Sequence, residues 1–221
     1  MLPLHGAAVY QFKVMGDHTL EPANTLIVGM TGSGKSTYAY RYLLNAPAAC
    51  RFIFDDLGRA ATRLKVRPVG TVKQCEDALA SRWVIFNPHV MFPGATRDAF
   101  RWFCKWSYEV SKRGPGKKLL LVDEIWQWQN NLAIPQELAL VCQTGREENL
   151  ELVCCTQMPH KINSSITGQS TELVCFRTDE RLALDAVRDL RGEVAKVENL
   201  PPGEWISYNR ISRGVMTGKV F

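Results

Sequence analysis

Residues 29–37 read GMTGSGKST, a run that fits G-x-x-x-x-G-K-[ST]. Glycines at Gly29, Gly32 and Gly34 let successive backbone N–H groups converge on an anion, and a helix beginning at the end of the run adds its positive pole. Met30, Thr31, Ser33 and Thr37 complete the cradle. Lys35 is placed to reach the outer phosphates of a bound triphosphate, and the Ser36 hydroxyl to ligate Mg²⁺. The context supports this chemistry: an apolar stretch, TLIV (25–28), enters the loop, and helical sequence leaves it from near Gly34 to about Leu44.

A second group of residues completes a hydrolytic site. LLLVDE (119–124) ends an apolar strand in two acids. Asp123 can hold Mg²⁺ through its water shell, and Glu124, one residue on, can polarise a water for attack on the terminal phosphate. A phosphotransfer enzyme must exclude that water, so the adjacent pair favours hydrolysis over a small kinase. In CCTQMP (154–159) Gln157 ends the next strand. Its amide can contact both the terminal phosphate and the attacking water, or can be an ordinary polar strand terminus. Arg146 precedes that strand, at the edge opposite its own loop. It either serves a neighbouring subunit's site in trans or is neutralised locally by Glu147 or Glu148. Arg177 and Arg181 follow the last core strand on the loop edge.

Two basic stripes remain. Arg97, Arg101 and Lys105 recur every four residues and share one helix face, extended by Lys112, Arg113, Lys117 and Lys118 in a Gly-Pro loop. Arg59, Arg63, Lys65 and Arg67 form the other. Such stripes track a phosphate backbone or are solvated helix faces. Trp126 and Trp128 either stack on bases or sugars or pack internally. His5, His18, His89 and His160 make no ligand pattern.

The elements that must position these groups alternate. Strands are expected over 8–14, 25–28, 51–56, 83–87, 118–124, 150–156 and 172–177. Helical sequence fills 57–82, 96–112, 135–144 and 179–190, and a β-hairpin is expected in 196–221. Continuous apolar strands between helices argue for a mainly parallel sheet covered on both faces. Ligands of such sheets bind at the carboxyl ends of the strands, where Gly29, Asp55, Asp123, Glu124, Thr156 and Gln157 all fall. The chain of 221 residues, 46% hydrophobic and 22% charged, has the size and composition of one soluble α/β domain. Its net charge of +5 suits a polyanionic partner. The seven cysteines include no CxxC pair, and several lie in apolar runs, which reads as buried thiols in a reducing compartment. No signal peptide or membrane-spanning stretch is evident.

The order GMTGSGKST, FIFDD, LLLVDE, GREENLELVCCTQMP and TELVCFRTDE resembles the FtsK–HerA superfamily of P-loop motor ATPases. Within it, the small chain resembles the viral genome-packaging ATPases of the tectivirus type. The resemblance covers about residues 24–210. It implies one ATPase domain with a RecA-like (ASCE) core over about 24–195 and a β extension over 196–221, with an extra strand between the loop strand and the Asp-Glu strand. It implies ATP and Mg²⁺ as ligands, with Lys35 and Ser36 on phosphate and metal, Asp123 and Glu124 as the metal- and water-activating pair, Gln157 as sensor and Arg146 as the trans-acting finger. It implies a homo-oligomeric ring, pentamer or hexamer, moving double-stranded DNA into a preformed capsid. A capsid vertex or viral membrane proteins would be its partners, in host cytoplasm during assembly and then in the virion. Many relatives carry Arg after Thr-Gln; here Met158 stands in that place. A filamentous-phage extrusion ATPase is the runner-up, although such proteins usually carry a membrane span.

Overall fold

The computed structural model describes residues 23–179, 181–189 and 194–221; the strand expected over 8–14 lies outside them. Strands β1 (Thr25–Val28), β2 (Cys50–Phe54), β3 (Trp83–Phe86), β4 (Lys118–Val122), β5 (Leu150–Thr156) and β6 (Glu172–Phe176) run parallel. With β7 (Glu204–Asn209) and β8 (Val215–Lys219) they build one eight-stranded sheet in the order β3-β2-β4-β5-β1-β6-β7-β8. The last two strands form the expected antiparallel hairpin. β5 is the strand between the loop strand β1 and the acid-ended strand β4.

The strands read as unbroken apolar runs because both faces are covered. Side chains alternate between two cores, as period-two geometry requires. Leu120 and Val122 of β4 and Leu152 and Cys154 of β5 enter one core. Leu119, Leu121, Val153 and Cys155 enter the other. The second core takes the inner face of α1 (Lys35–Asn45) through Tyr38, Ala39, Tyr40 and Leu43, together with α2 (Arg59–Leu64) through Ala60 and Ala61. The first takes α3 (Val72–Ala78), α4 (Thr96–Ser111), α5 (Gln136–Thr144), α6 (Ser164–Gln169) and α7 (Arg181–Asp189), with α8 (Val194–Glu198) contributing Val197. Pro135, the expected first residue of this helix, instead caps it, and α5 begins one residue later at Gln136.

Two side chains fix α1, and therefore the loop that feeds it. Arg51 on β2 donates to the carbonyls of Ala46 (2.8 Å) and Ala48 (3.2 Å) beyond the helix and to that of Leu43 within its last turn. Its cation thus faces the negative pole of α1 while lying 4.9 Å from the centre of the Trp83 ring. At the other end, Tyr38 packs edge-on against Phe176 and Trp205. All seven cysteines are buried and free. Burial pushes the Cys75 and Cys142 thiols up to about 12, which makes them apolar filling rather than nucleophiles. No helix of the described residues is long and apolar enough to cross a membrane.

Candidate functional site

Because β1, β4 and β5 run the same way, their carboxyl ends deliver Gly29, Asp123 and Gln157 to one edge of the sheet. Between β1 and α1 the chain turns through Gly29 at φ +156° and Gly34 at φ +114°. At Gly34 a Cβ would sit 2.9 Å from Val220 Cγ2 and 3.0 Å from Phe176 Cε1; at Gly29 it would sit 2.6 Å from Phe176 Cβ. Only glycine fits both places, so the cradle is closed from behind by β6 and the C-terminal segment. Gly203 N–H donates to Ser33 O at 3.0 Å and adds a backbone brace.

The loop's polar groups fit a triphosphate with Mg²⁺. Lys35 is buried, and its ammonium donates to Met30 O at 3.0 Å, folded across its own loop. Among the described residues the buried Ser33 hydroxyl has no hydrogen-bond partner, an orphan that a phosphate oxygen would satisfy. Ser36 Oγ donates to Asp123 Oδ2 at 3.1 Å. This brings the two predicted metal ligands together: a hydroxyl and a carboxylate, both hard oxygen donors of the kind Mg²⁺ takes.

Glu124 stands next to that pair with its backbone in the left-handed region, φ 48° and ψ 52°. A non-glycine residue adopts this at a cost and chiefly where function or packing demands it. Its carboxylate is held from two sides: Trp126 Nε1–H donates to Oε2 at 2.8 Å, and Gln157 N–H donates to the same oxygen at 3.2 Å. Gln157 Oε1 in turn accepts from Thr31 Oγ1 at 2.7 Å. The sequence-predicted residues Thr31, Lys35, Ser36, Asp123, Glu124 and Gln157 therefore converge. In front of the two acids opens a small cleft lined by Tyr40, Asp55, Arg59, Asp123, Glu124 and Trp128 among others. Burial, and then the Asp123 and Asp55 carboxylates, raise the Tyr40 hydroxyl far above its ordinary range, so it stays a neutral phenol. Asp55 itself is committed to structure: its Oδ2 accepts from Ala61 N–H at 2.9 Å.

The remaining expectations divide. Arg146 lies in the short turn Gly145–Glu148 at the start of β5, on the opposite edge, and is exposed. Among the described residues it has no ion pair with Glu147 or Glu148, so the local neutralisation is not made. Arg97, Arg101 and Lys105 are exposed along one face of α4, and Arg101 forks onto Glu137 at 3.1 and 3.2 Å. Lys117 and Lys118, read from sequence as surface cations extending that stripe, are instead buried. Lys117 pairs with the fully buried Glu151 at 2.6 Å. The Lys118 ammonium donates to the carbonyls of Ser111, at 3.0 Å, and Gly114. Neither presents a cation to a partner, because each neutralises or satisfies groups inside the fold. Trp128 packs internally, stacked on Phe100 and edge-on to Phe54.

Sequence reading missed the Trp126 indole as a donor to Glu124. Its place two residues after the acid was a signal for proximity, though not for the bond. It also assigned Arg63 to a surface stripe, whereas Arg63 Nη2 donates to Thr37 Oγ1 at 3.0 Å.

The sheet order and the loop–acid–amide edge define the fold of the P-loop NTPases. Solved structures share it over nearly the whole chain. The genome packaging NTPase B204 from Sulfolobus turreted icosahedral virus 2, in complex with AMPPCP, superposes with a TM-score of 0.71 at 18% identity, over 90% of this chain and 97% of that one. VirB4 of Thermoanaerobacter pseudethanolicus gives 0.65 at 13% identity, over 90% and 89%. EssC (ATPases 2 and 3) from Geobacillus thermodenitrificans gives 0.61 at 15% identity, over 90% of this chain and 39% of that one. At these identities the likeness establishes the fold. No protein-family model and no curated protein matches the sequence.

Proposed function

We propose that this chain is an ATP-driven translocase of double-stranded DNA that packages a viral genome into a preformed capsid as a homo-oligomeric ring. The observation that carries the reading is the joint one: a complete hydrolytic edge on a fold shared, nearly end to end, with a genome packaging NTPase. In this reading the loop Gly29–Thr37 binds the triphosphate, and Lys35 leaves Met30 O for the outer phosphates. Ser36 and Asp123 would hold Mg²⁺, which supplies charge neutralisation on the phosphate oxygens. Glu124 takes the proton of the attacking water, Gln157 orients that water, and Arg146 of the neighbouring subunit reaches the developing charge. Its exposure, and the lack of an acidic partner among the described residues, support that use. The exposed face of Arg97, Arg101 and Lys105 is the favoured DNA contact. The protein would act in host cytoplasm and then at a capsid vertex.

The test is steady-state phosphate release with and without double-stranded DNA. Glu124→Gln should keep ATP binding and lose at least about a hundredfold in kcat, the usual scale for a general base. Arg146→Ala should be inactive in pure rings and partly rescued in mixed rings that also contain Glu124→Gln subunits. Normal hydrolysis by Arg146→Ala rings removes the finger assignment. Failure of DNA to bind or stimulate removes the translocase reading and leaves a P-loop NTPase fold whose hydrolysis is coupled to something other than DNA.

A further inference from the structure

Helix α2 is short, and the structure pins it to the nucleotide edge. It follows β2 directly, and Asp55, the first residue beyond that strand, holds Ala61 N–H within its first turn. Arg59 and Arg63 are four residues apart on this helix and so share a face. Arg63 donates to the hydroxyl of Thr37, the last residue of the GMTGSGKST loop. Arg59 lines the cavity that opens on Asp123 and Glu124. Both side chains are exposed, and among the described residues neither has a carboxylate partner. A guanidinium carries five N–H donors in a fixed fork; Arg63 spends one of them on a neutral hydroxyl. Two uncompensated cations thus stand beside a loop built for a polyanion.

We infer that α2 belongs to the nucleotide site: Arg63 supplies a cation in cis to the phosphates at the Thr37 end of the loop, and Arg59 faces the terminal phosphate from the cavity side. This rests on the reading of Gly29–Thr37 as a triphosphate loop. It removes Arg59 and Arg63 from the basic stripe open to nucleic acid. Charge-assisted bonds of a guanidinium to phosphate are short, directional and stronger than its bond to a hydroxyl, so a bound phosphate displaces Thr37 as the Arg63 acceptor.

The experiment is calorimetric titration of the full chain in a Glu124→Gln background, with ATP and with inorganic tripolyphosphate, both in the presence of Mg²⁺. Arg63→Gln retains a donor for Thr37 but no charge; it should weaken both ligands by about tenfold or more, the scale of losing one hydrogen bond to a charged group. Arg63→Lys should recover part of the loss. Double-stranded DNA affinity and its salt dependence should not change. Affinities within about twofold of the parent for both ligands overturn the inference. So does a loss for ATP that tripolyphosphate does not share, which would place the contact on sugar or base. Lys35→Ala is the separate control: if it leaves both affinities intact, the loop reading itself fails, independently of Arg63.

Discussion

Replacing Trp126 by Phe removes one N–H and keeps the ring. The indole donates to Glu124 Oε2 at 2.8 Å, and the only other donor to that oxygen among the described residues is Gln157 N–H at 3.2 Å, a longer bond. A hydrogen bond to a charged group contributes about 1.5–3 kcal/mol. Glu124 is half-buried, so water replaces part of what is lost, and the lower end of that range applies. About 1.4 kcal/mol of lost positioning is a tenfold fall in kcat. The triphosphate cradle is untouched, so KM for ATP should stay within about twofold. Lys161 Nζ, 4.9 Å from the Trp126 ring centre, retains an aromatic face in the variant, which keeps the two loops in contact. The assay is phosphate release at saturating ATP in the parent and in a Glu124→Gln background. If Trp126 acts through Glu124, the tenfold effect disappears once the carboxylate is gone, because the two substitutions remove the same interaction. A kcat that is unchanged or higher, or a tenfold loss that persists without the carboxylate, refutes the reasoning.

Two further outcomes follow from the buried polar groups. Burial raises the Glu172 carboxyl above its ordinary value, against bonds from Ser207 and Asn209 that lower it. The folded state therefore binds this proton more tightly than the unfolded chain, and its contribution to stability is present at low pH and lost as pH rises through the raised value. Glu172→Gln should melt higher than the parent at about pH 7 and flatten the loss of stability that sets in above the ordinary glutamate value of about 4.3, read by thermal denaturation. Lys117→Met strands Glu151, which is fully buried and left with Tyr42 and Ala23 N–H as donors. It should cost about 3–5 kcal/mol in urea unfolding without weakening double-stranded DNA binding, whereas Arg97→Ala and Lys105→Ala should leave stability alone and each lower the salt dependence of DNA affinity by about one charge.

The parallel sheet was legible because its strands are apolar on both faces, and the loop was legible because its spacing is rigidly tied to backbone geometry. LELVCCT matched β5 residue for residue. What local sequence could not carry was the destination of long polar side chains. Lys117 and Lys118 follow a Gly-Pro turn and look like solvated charges. Their partners are Glu151, in another strand, and carbonyls at the end of α4. A sign was present in Glu151, a lone acid inside an apolar strand, since a buried carboxylate requires a cation and donors; sequence does not say which cation. Arg63 and Thr37 are 26 positions apart on separate helices, and only the way α2 folds back from β2 joins them. The indole of Trp126 was visible as a ring, but the direction of its N–H depends on the turn that Glu124 makes in the left-handed region.

The insertion of β5 between β1 and β4 gives Gln157 a position that a direct β1–β4 pairing would deny it. One residue touches both halves of the site: its side chain accepts from Thr31 in the phosphate loop, while its backbone N–H donates to Glu124. The loops after β4 and β5 are fastened again further out. Gln129 Nε2–H donates to Lys161 O at 2.9 Å, Asn163 N–H donates to Gln129 Oε1 at 3.0 Å, and Asn163 Nδ2–H donates to Asn131 O at 3.0 Å. Glu124 and Gln157 are thus set on one bonded unit, and Thr31 is the link from that unit to the loop. On the proposed reading, a phosphate drawing the Thr31 hydroxyl would break a 2.7 Å bond and free the Gln157 amide, while the backbone N–H that holds Glu124 would stay in place. In the proposed mechanism, strand order would separate the two tasks: the amide would be released for phosphate and water while the base stays fixed.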